Sequence, residues 1–200
     1  MFCWVFVGVG VYSSALVRVG GVLGGRGVGF VVVGSLILPL AYGVDWVVHD
    51  VDLFLTNKST LTDAEFFEGI AREFDWDYGL NAFGGMYYEV VVNGEVVRVD
   101  LMENLLDVYI PEAIINDSIV FKVNGSEFKG IRIEALIVLK AREATDEAEE
   151  FLERLAEKIA DPGTGIELDK ARIINYINQY PEEERESIKH KIQTTGIYIE

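Results

Sequence analysis

The chain contains 200 residues, of which 50% are hydrophobic and 25% are charged. This length and composition suit a folded domain with a buried core, and they exclude a disordered or fibrous chain. The single cysteine, Cys3, excludes an intramolecular disulfide and a cysteine-based metal cluster, which favours a reducing, cytoplasmic location. The formal net charge of −16 argues against extended binding to nucleic acid, because that requires a basic surface.

The N-terminal part of the chain is apolar. Residues 1–44 contain no acidic residue and only two basic ones, and they include uncharged runs at 1–17 and 27–44. A membrane-spanning helix needs about 20 predominantly apolar residues. The first run is shorter and lacks a basic leader, and Pro39 interrupts the second. We therefore expect no membrane span and interpret residues 1–12 as an apolar extension; membrane association through the first run is a minor alternative.

Helix and strand patterns alternate over residues 13–133, which we interpret as one α/β core. Ser13 or Ser14 is a suitable N-cap for a first helix, and Thr62 with Glu65 forms a capping box that predicts the start of another. Two Asn-Gly pairs predict hairpin turns. The predicted elements are, in chain order, a helix to about residue 23, a strand at 30–33, a short helix at 36–42, a strand at 47–55, a helix to about residue 74, and hairpins that pair 87–92 with 95–101 and 119–123 with 127–129.

The last third of the chain is predicted to be helical. Apolar residues recur at helical spacing, and a Pro162-Gly163 pair breaks the pattern once. Pro181 is a good first residue for the final helix. The predicted helices cover residues 134–143, 146–159, 168–178 and 181–193. Together with the preceding strands, they predict an α+β fold with a C-terminal helical region at residues 134–200.

Two aspartates interrupt the apolar strand predicted at residues 47–55. Side chains alternate along a strand, so Asp50 and Asp52 lie on one face while their apolar neighbours face the core. Two adjacent carboxylates repel each other unless solvent or a cation compensates them, and oxygen-only ligands suit Mg²⁺ or Mn²⁺. Asp100 ends a later strand between two apolar residues. If the two strands are neighbours, three carboxylates converge into the kind of site that phosphoryl transfer uses.

A Gly-Ser pair stands between the strand at 30–33 and the short helix that follows it. Backbone N–H groups at such a strand-to-helix turn bind anions. Gly34 has no side chain and would let a phosphate approach the backbone, and the Ser35 hydroxyl could add a hydrogen bond. Each feature alone is a weak signal, but the order of strand, Gly-Ser, helix and paired aspartates is far more specific.

Residues 31–43 and 49–54, which contain these features, resemble the signature of the DNA polymerase β-type nucleotidyltransferase superfamily. They are most similar to its small prokaryotic branch of abortive-infection and toxin–antitoxin proteins. The resemblance implies a nucleotidyltransferase-like mixed sheet flanked by helices. It also implies that Gly34 and Ser35 bind the nucleotide triphosphate, and that Asp50, Asp52 and Asp100 bind the metal and act in catalysis. A looser similarity at residues 133–140 implies that Lys140 contacts the nucleotide.

The implied activity is transfer of a nucleoside monophosphate from an NTP such as ATP to a hydroxyl group of a protein, an RNA or a small molecule, with Mg²⁺ or Mn²⁺ as cofactor. Asp100 would serve as third ligand or as the base that assists deprotonation of the hydroxyl. The branch carries an arginine and a Ser or Thr where this chain has residues 46–49. That departure leaves open an alternative, a module of the same fold that binds nucleotide or a partner without turnover.

Two further features are interpreted as structural. Asp75 and Asp77 form a second Asp-x-Asp pattern, but aromatic residues surround them and Gly79 follows, which favours a turn. His49 adjoins Asp50 and by alternation points away from it.

Overall fold

A computed structural model describes residues 9–82, 84–106, 108–143 and 145–199. In these residues the chain has the α+β fold predicted from the sequence. The helices are α1 (Val9–Gly25), α2 (Ile37–Ala41), α3 (Ala64–Phe74), α4 (Glu112–Asn116), α5 (Ile133–Arg142), α6 (Asp146–Ala160), α7 (Lys170–Ile177) and α8 (Glu182–Thr194), with a 3-10 turn at Pro162–Thr164. The strands are β1 (Phe30–Val32), β2 (Val51–Leu55), β3 (Asp77–Leu80), β4 (Met86–Val92), β5 (Glu95–Met102), β6 (Ile119–Val123) and β7 (Ser126–Gly130).

The first of two structural units contains the sheet. This unit comprises the described residues up to Ala41, together with Asp45–Tyr109 and Val120–Gly130. Its seven strands have the order β3-β4-β5-β2-β1-β7-β6. Strand β2 pairs in parallel with β5, and β1 in parallel with β7, whereas β1–β2, β3–β4 and β4–β5 are antiparallel. The sheet is therefore mixed, and β2 lies between β5 and β1.

Both predicted hairpins are confirmed. Asn93 and Gly94 have φ values of 54° and 86° between β4 and β5, and Asn124 and Gly125 have values of 49° and 86° between β6 and β7. A two-residue turn with positive φ at both positions matches the twist of the strands that it joins, which is why Asn-Gly is favoured there. The first turn fixes the register of β4 against β5, with Val91 opposite Val96.

Alternation along β4 and β5 separates a core face from an open face. Tyr88, Val90, Val97 and Val99 are buried on the core face. Helix α1 packs against both strands, and the Tyr88 hydroxyl donates to the Phe67 carbonyl oxygen of α3 at 2.9 Å. The alternate residues, which include Tyr87, Arg98 and Asp100, lie on the opposite face. This second face carries the candidate site.

The second unit is mostly helical. It contains Tyr42–Val44, Ile110–Ile119 and the described residues from Ile131 onward. An ion-pair cluster centred on Asp117 joins the Ile110–Ile119 segment to the segment from Ile131 onward. The Asp117 carboxylate accepts hydrogen bonds from Arg132 Nε at 3.0 Å and from the Tyr176 hydroxyl at 2.7 Å. Burial acts to raise the pKa of Asp117, but the two hydrogen bonds together with the positive charges of Arg132 and Arg172 outweigh it and hold the pKa below its usual value.

Two predicted helix starts are wrong. Ser13 and Ser14 lie inside α1, and their hydroxyls donate to the Gly10 carbonyl oxygen at 3.0 and 2.8 Å instead of capping the helix. The capping box at Thr62 does not form, because α3 starts at Ala64 and the Thr62 hydroxyl donates to the Asp63 carboxylate at 3.3 Å. In both places a local side-chain hydrogen bond replaces the expected cap.

Two strand predictions also need correction. Strand β2 begins at Val51, and residues 43–50 are irregular rather than extended from residue 47. The segment interpreted as a turn is only partly one: Asp75 has a φ of 55° and ends α3, but Asp77 starts strand β3. Trp76 is buried between them, with its ring 5.3 Å from that of Tyr88. Pairing with β4, which local propensity does not encode, makes β3 a strand.

The apolar N-terminal region lies only partly within the described residues. Of the extension predicted at residues 1–12, residues 1–8 lie outside them, and residues 9–12 belong to α1. Among the described helices, none has both the length and the apolar character that crossing a membrane requires.

Candidate active site

Three carboxylates meet on the open face of the sheet. Strand β5 lies beside β2, and the parallel register places Asp100 directly opposite Asp52. Asp50 precedes β2 by one residue and is two positions from Asp52, and its carboxylate joins the same cluster. One carboxylate oxygen from each of the three aspartates lies within 4.8 Å of the others. Among the described residues, this is the group of acidic, histidine and cysteine side chains that could hold a metal ion.

Gly34 lies against this cluster. It follows β1 in the turn that leads into α2, and the Val33 amide beside it donates to the Asp52 carbonyl oxygen at 3.0 Å. A Cβ atom at Gly34 would stand 1.8 Å from Asp52 Oδ2 and 2.8 Å from its Cγ. The absence of a side chain at Gly34 therefore makes room for the Asp52 carboxylate. Ser35 is the next residue of the same turn, and its carbonyl oxygen accepts from the Leu38 amide at 3.0 Å.

Asp100 is held from two sides by residues that the sequence analysis did not identify. Arg98 donates to both carboxylate oxygens, from Nε to Oδ2 at 2.8 Å and from Nη2 to Oδ1 at 3.0 Å. Asn81 donates from Nδ2 to Oδ1 at 3.1 Å, and its own Oδ1 accepts from the Gly85 amide at 2.9 Å. The hydrogen bonds to Asp100 raise the pKa of Arg98 above its usual value. Arg98 and Asp100 are two residues apart on β5, so the same spacing argument that paired Asp50 with Asp52 could have identified Arg98. Asn81 is brought to Asp100 only by the fold.

None of the remaining candidates belongs to the carboxylate cluster of the described residues. Lys140 belongs to α5 in the second unit, where its Nζ donates to both carboxylate oxygens of Glu143 at 2.9 Å. His49 is exposed in the irregular segment before β2. Asp75 and Asp77 are not members of the carboxylate cluster.

The donor set fits a hard divalent cation. Three carboxylates supply oxygen ligands only, which suits Mg²⁺ or Mn²⁺ rather than a metal that prefers thiolate or imidazole. Three negative charges this close also destabilise one another without a compensating cation. The arrangement is therefore one that a divalent metal ion would stabilise.

Comparison with solved structures defines the class of fold. The structure resembles an antigenic nucleotidyltransferase-like protein from Paracoccidioides brasiliensis, with a TM-score of 0.52 and 12% identity over 92% of this chain and 88% of that chain. Weaker likenesses are to ANT(2")-Ia in complex with adenylyl-2"-tobramycin (TM-score 0.44, 11% identity, 91% and 97% of the two chains) and to JHP933 from Helicobacter pylori (0.37, 14%, 83% and 83%). At these identities the first match shows the nucleotidyltransferase-like fold alone.

The sequence shows the family. Residues 12–194 match the family described as "Nucleotidyl transferase of unknown function (DUF2204)", and the chain belongs to it. The nucleotidyltransferase resemblance identified from the sequence is thereby confirmed. No curated protein matches the sequence significantly.

Proposed function

We propose that this protein transfers a nucleoside monophosphate from an NTP to a hydroxyl group, with release of pyrophosphate, and that Mg²⁺ or Mn²⁺ is required. The observation that carries the proposal is the convergence of Asp50, Asp52 and Asp100 within 4.8 Å on neighbouring strands. Membership of a nucleotidyltransferase family supports transfer in general. The metal requirement and the residue roles are inferred from the geometry.

The three aspartates would hold the metal. When bound, the ion would neutralise charge on the triphosphate and orient its reacting phosphorus. Asp50 and Asp52 are two residues apart on one segment, so a single backbone conformation fixes both ligands. Asp100 comes from the neighbouring strand and is only 12% exposed at its side chain, which limits competition from water.

The turn beside the cluster would receive the triphosphate. Gly34 brings the backbone against Asp52 with no intervening side chain, so the amides of this turn lie next to the metal ligands. Ser35 adds a hydroxyl at the following position. Helix α2 has only five residues, so we expect local amides rather than a helix dipole to contact the phosphates. Lys140 is proposed as a nucleotide contact on the resemblance alone.

The acceptor hydroxyl group would belong to a small molecule, a protein or an RNA. The net charge of −16 disfavours a long nucleic acid, because many phosphates would have to approach an acidic surface. Asp100 would accept the proton of the attacking hydroxyl or serve as third ligand. A role in a toxin–antitoxin pair remains a prediction from the resemblance.

Labelled nucleotides test the proposal. The full chain is incubated with each of four α-labelled NTPs, Mg²⁺ or Mn²⁺, and cell extract, and labelled products are sorted by protease and nuclease digestion. We expect label transfer that EDTA abolishes and that is lost in the double variant Asp50→Asn, Asp52→Asn. The second Asp-x-Asp provides the matched control: Asp75→Asn with Asp77→Asn removes the same charge outside the cluster and should retain transfer.

Two results would contradict the proposal. Transfer that survives in the Asp50, Asp52 double variant would remove the carboxylates from the chemistry. Nucleotide binding by the wild-type protein without transfer to any fraction of the extract would favour the alternative of a binding module.

A further inference from the structure

The planar guanidinium group of Arg98 pairs with the carboxylate of Asp100, the third aspartate of the cluster. Its two hydrogen bonds engage both oxygens of Asp100 at 2.8 and 3.0 Å. The two residues are two positions apart on β5, so both side chains extend from the same face. The Asp100 side chain is 12% exposed, whereas that of Arg98 is 41% exposed. The carboxylate is thus enclosed while the guanidinium borders the open face.

Packing against the Tyr87 ring supports the position of Arg98. Its guanidinium carbon lies 4.0 Å from the centroid of the Tyr87 ring. Tyr87 stands opposite Asp100 in the register of β4 and β5, and Gly79 stands opposite Tyr87 on β3. A Cβ at Gly79 would be 2.7 Å from the Tyr87 hydroxyl, so the ring occupies space that only glycine leaves. Gly79, Tyr87 and Arg98 form a packed series that ends at Asp100.

These contacts leave Asp100 with little capacity for other partners. A carboxylate offers about four lone-pair positions. Arg98 and Asn81 together take three of them, which leaves about one, on a fixed side of the group. The guanidinium also places a positive charge beside the cluster and so reduces its net negative charge.

We propose that Arg98 is a positioning residue for the metal site, which aligns Asp100 for one further bond and limits the affinity of the carboxylate cluster for a divalent cation. The inference rests on the proposed function, because it assigns a role within the same metal site. This proposal and a purely structural role for Arg98 predict opposite changes in metal affinity. An ion pair that only stabilised the fold would weaken metal binding when it was lost, whereas removal of the Arg98 charge should strengthen it.

Binding of Mn²⁺ alone tests the charge effect without reference to turnover. Free Mn²⁺ is measured by electron paramagnetic resonance in titrations of the full chain without nucleotide. We expect Arg98→Met to bind Mn²⁺ with a Kd roughly tenfold below that of Arg98→Lys, because both variants lose the paired hydrogen bonds to Asp100 and only Arg98→Met also loses the unit positive charge. Arg98→Lys keeps the charge and loses only the alignment, so its Kd should not fall below that of wild type. Arg72→Met is the control, because Arg72 pairs with Glu68 on α3 and its loss changes the net charge equally.

Transfer kinetics test the alignment. Lysine cannot reproduce the two parallel hydrogen bonds of a guanidinium. Both Arg98 variants should therefore lower kcat by about 100-fold, which is typical when a reacting group is displaced by about 1 Å. KM for the NTP should remain within about twofold, because the lost interaction is not with the nucleotide. Circular dichroism and thermal melting establish that each variant is folded. If Arg98→Met does not fold, the kcat of Arg98→Lys still tests the alignment.

The outcomes separate this inference from the proposed function. Wild-type protein that binds Mn²⁺ independently of Asp50 and Asp52, or not at all, contradicts the proposed metal site and this inference with it. If the wild-type site binds Mn²⁺ as proposed, then an Arg98→Met protein whose Mn²⁺ affinity is equal to or weaker than that of Arg98→Lys overturns the inference alone. An Arg98→Lys protein with the kcat of wild type would also overturn this inference.

Discussion

Substitution of Gly34 by alanine tests the closest packing in the site. The added Cβ would stand 1.8 Å from Asp52 Oδ2, so the carboxylate would have to retreat by about 1.6 Å to reach an ordinary contact. The φ angle of Gly34 is not in the left-handed region, and the backbone itself therefore accepts alanine. The strain falls on the Asp52 side chain, which can rotate only away from its present place beside Asp50 and Asp100.

The expected effect on function is larger than the effect on stability. Displacement of Asp52, a proposed metal ligand, by more than 1 Å should lower the proposed transfer rate by about 100-fold. Overpacking of this kind typically costs about 1–3 kcal/mol of folding free energy, and movement of Asp52 toward solvent would place the cost near the lower end. The measurements are Mn²⁺ affinity, the rate of label transfer, and the free energy of unfolding in urea.

A matched glycine gives the control. Gly69 lies within α3, and a Cβ there would meet no atom within 4 Å. Gly69→Ala should stabilise the protein by about 0.5–1 kcal/mol, because alanine loses less backbone entropy in a helix, and should leave Mn²⁺ binding unchanged. Wild-type Mn²⁺ affinity and transfer rate in Gly34→Ala would refute the argument that Gly34 makes room for the Asp52 carboxylate.

Three further predictions address metal binding, pH dependence and helix capping. Mg²⁺ should raise the melting temperature of wild type but not of Asp52→Asn in thermal-shift assays, because the variant lacks one of the three proposed metal ligands. The pKa of Asp117 is lower in the folded protein than usual, so its contribution to stability is present above about pH 4 and is lost as the pH falls further. The difference in urea midpoint between wild type and Asp117→Asn should therefore be largest at neutral pH and shrink in acid. Thr145 caps α6 by accepting from the Ala148 amide at 3.2 Å, so Thr145→Ala should cost about 1 kcal/mol in urea unfolding, whereas Thr62→Ala, which removes no cap, should cost much less.

Each of these predictions has a contradicting result. A melting temperature of Asp52→Asn that still rises with Mg²⁺ would place the metal elsewhere. A urea-midpoint difference for Asp117→Asn that does not change between neutral and acidic pH would show that the Asp117 carboxylate is not what stabilises the folded state there. Equal losses for the two threonine variants would contradict the difference in capping.

Sequence reasoning succeeded where the governing interactions are local. The Asn-Gly turns follow from the φ preferences of those two residue types. The convergence of Asp50 and Asp52 was expected from their spacing of two residues, and it holds although β2 begins only at Val51. It failed where the hydroxyl expected to cap a helix donates another local hydrogen bond, as Ser13 does to the Gly10 carbonyl oxygen and Thr62 to the Asp63 carboxylate. It also did not reveal that the absence of a side chain at Gly34 makes room for the Asp52 carboxylate.

The sequence by itself determined the nucleotidyltransferase family, the α+β class and which aspartates are candidates, because these depend on residue types at fixed short spacings. Only the tertiary structure decided that β5 lies parallel to β2 with Asp100 opposite Asp52, and that Arg98 and Asn81 hold that carboxylate. The physical reason is that strand neighbours and register depend on the burial of the whole sheet. Residues distant along the chain come together only when that core is packed.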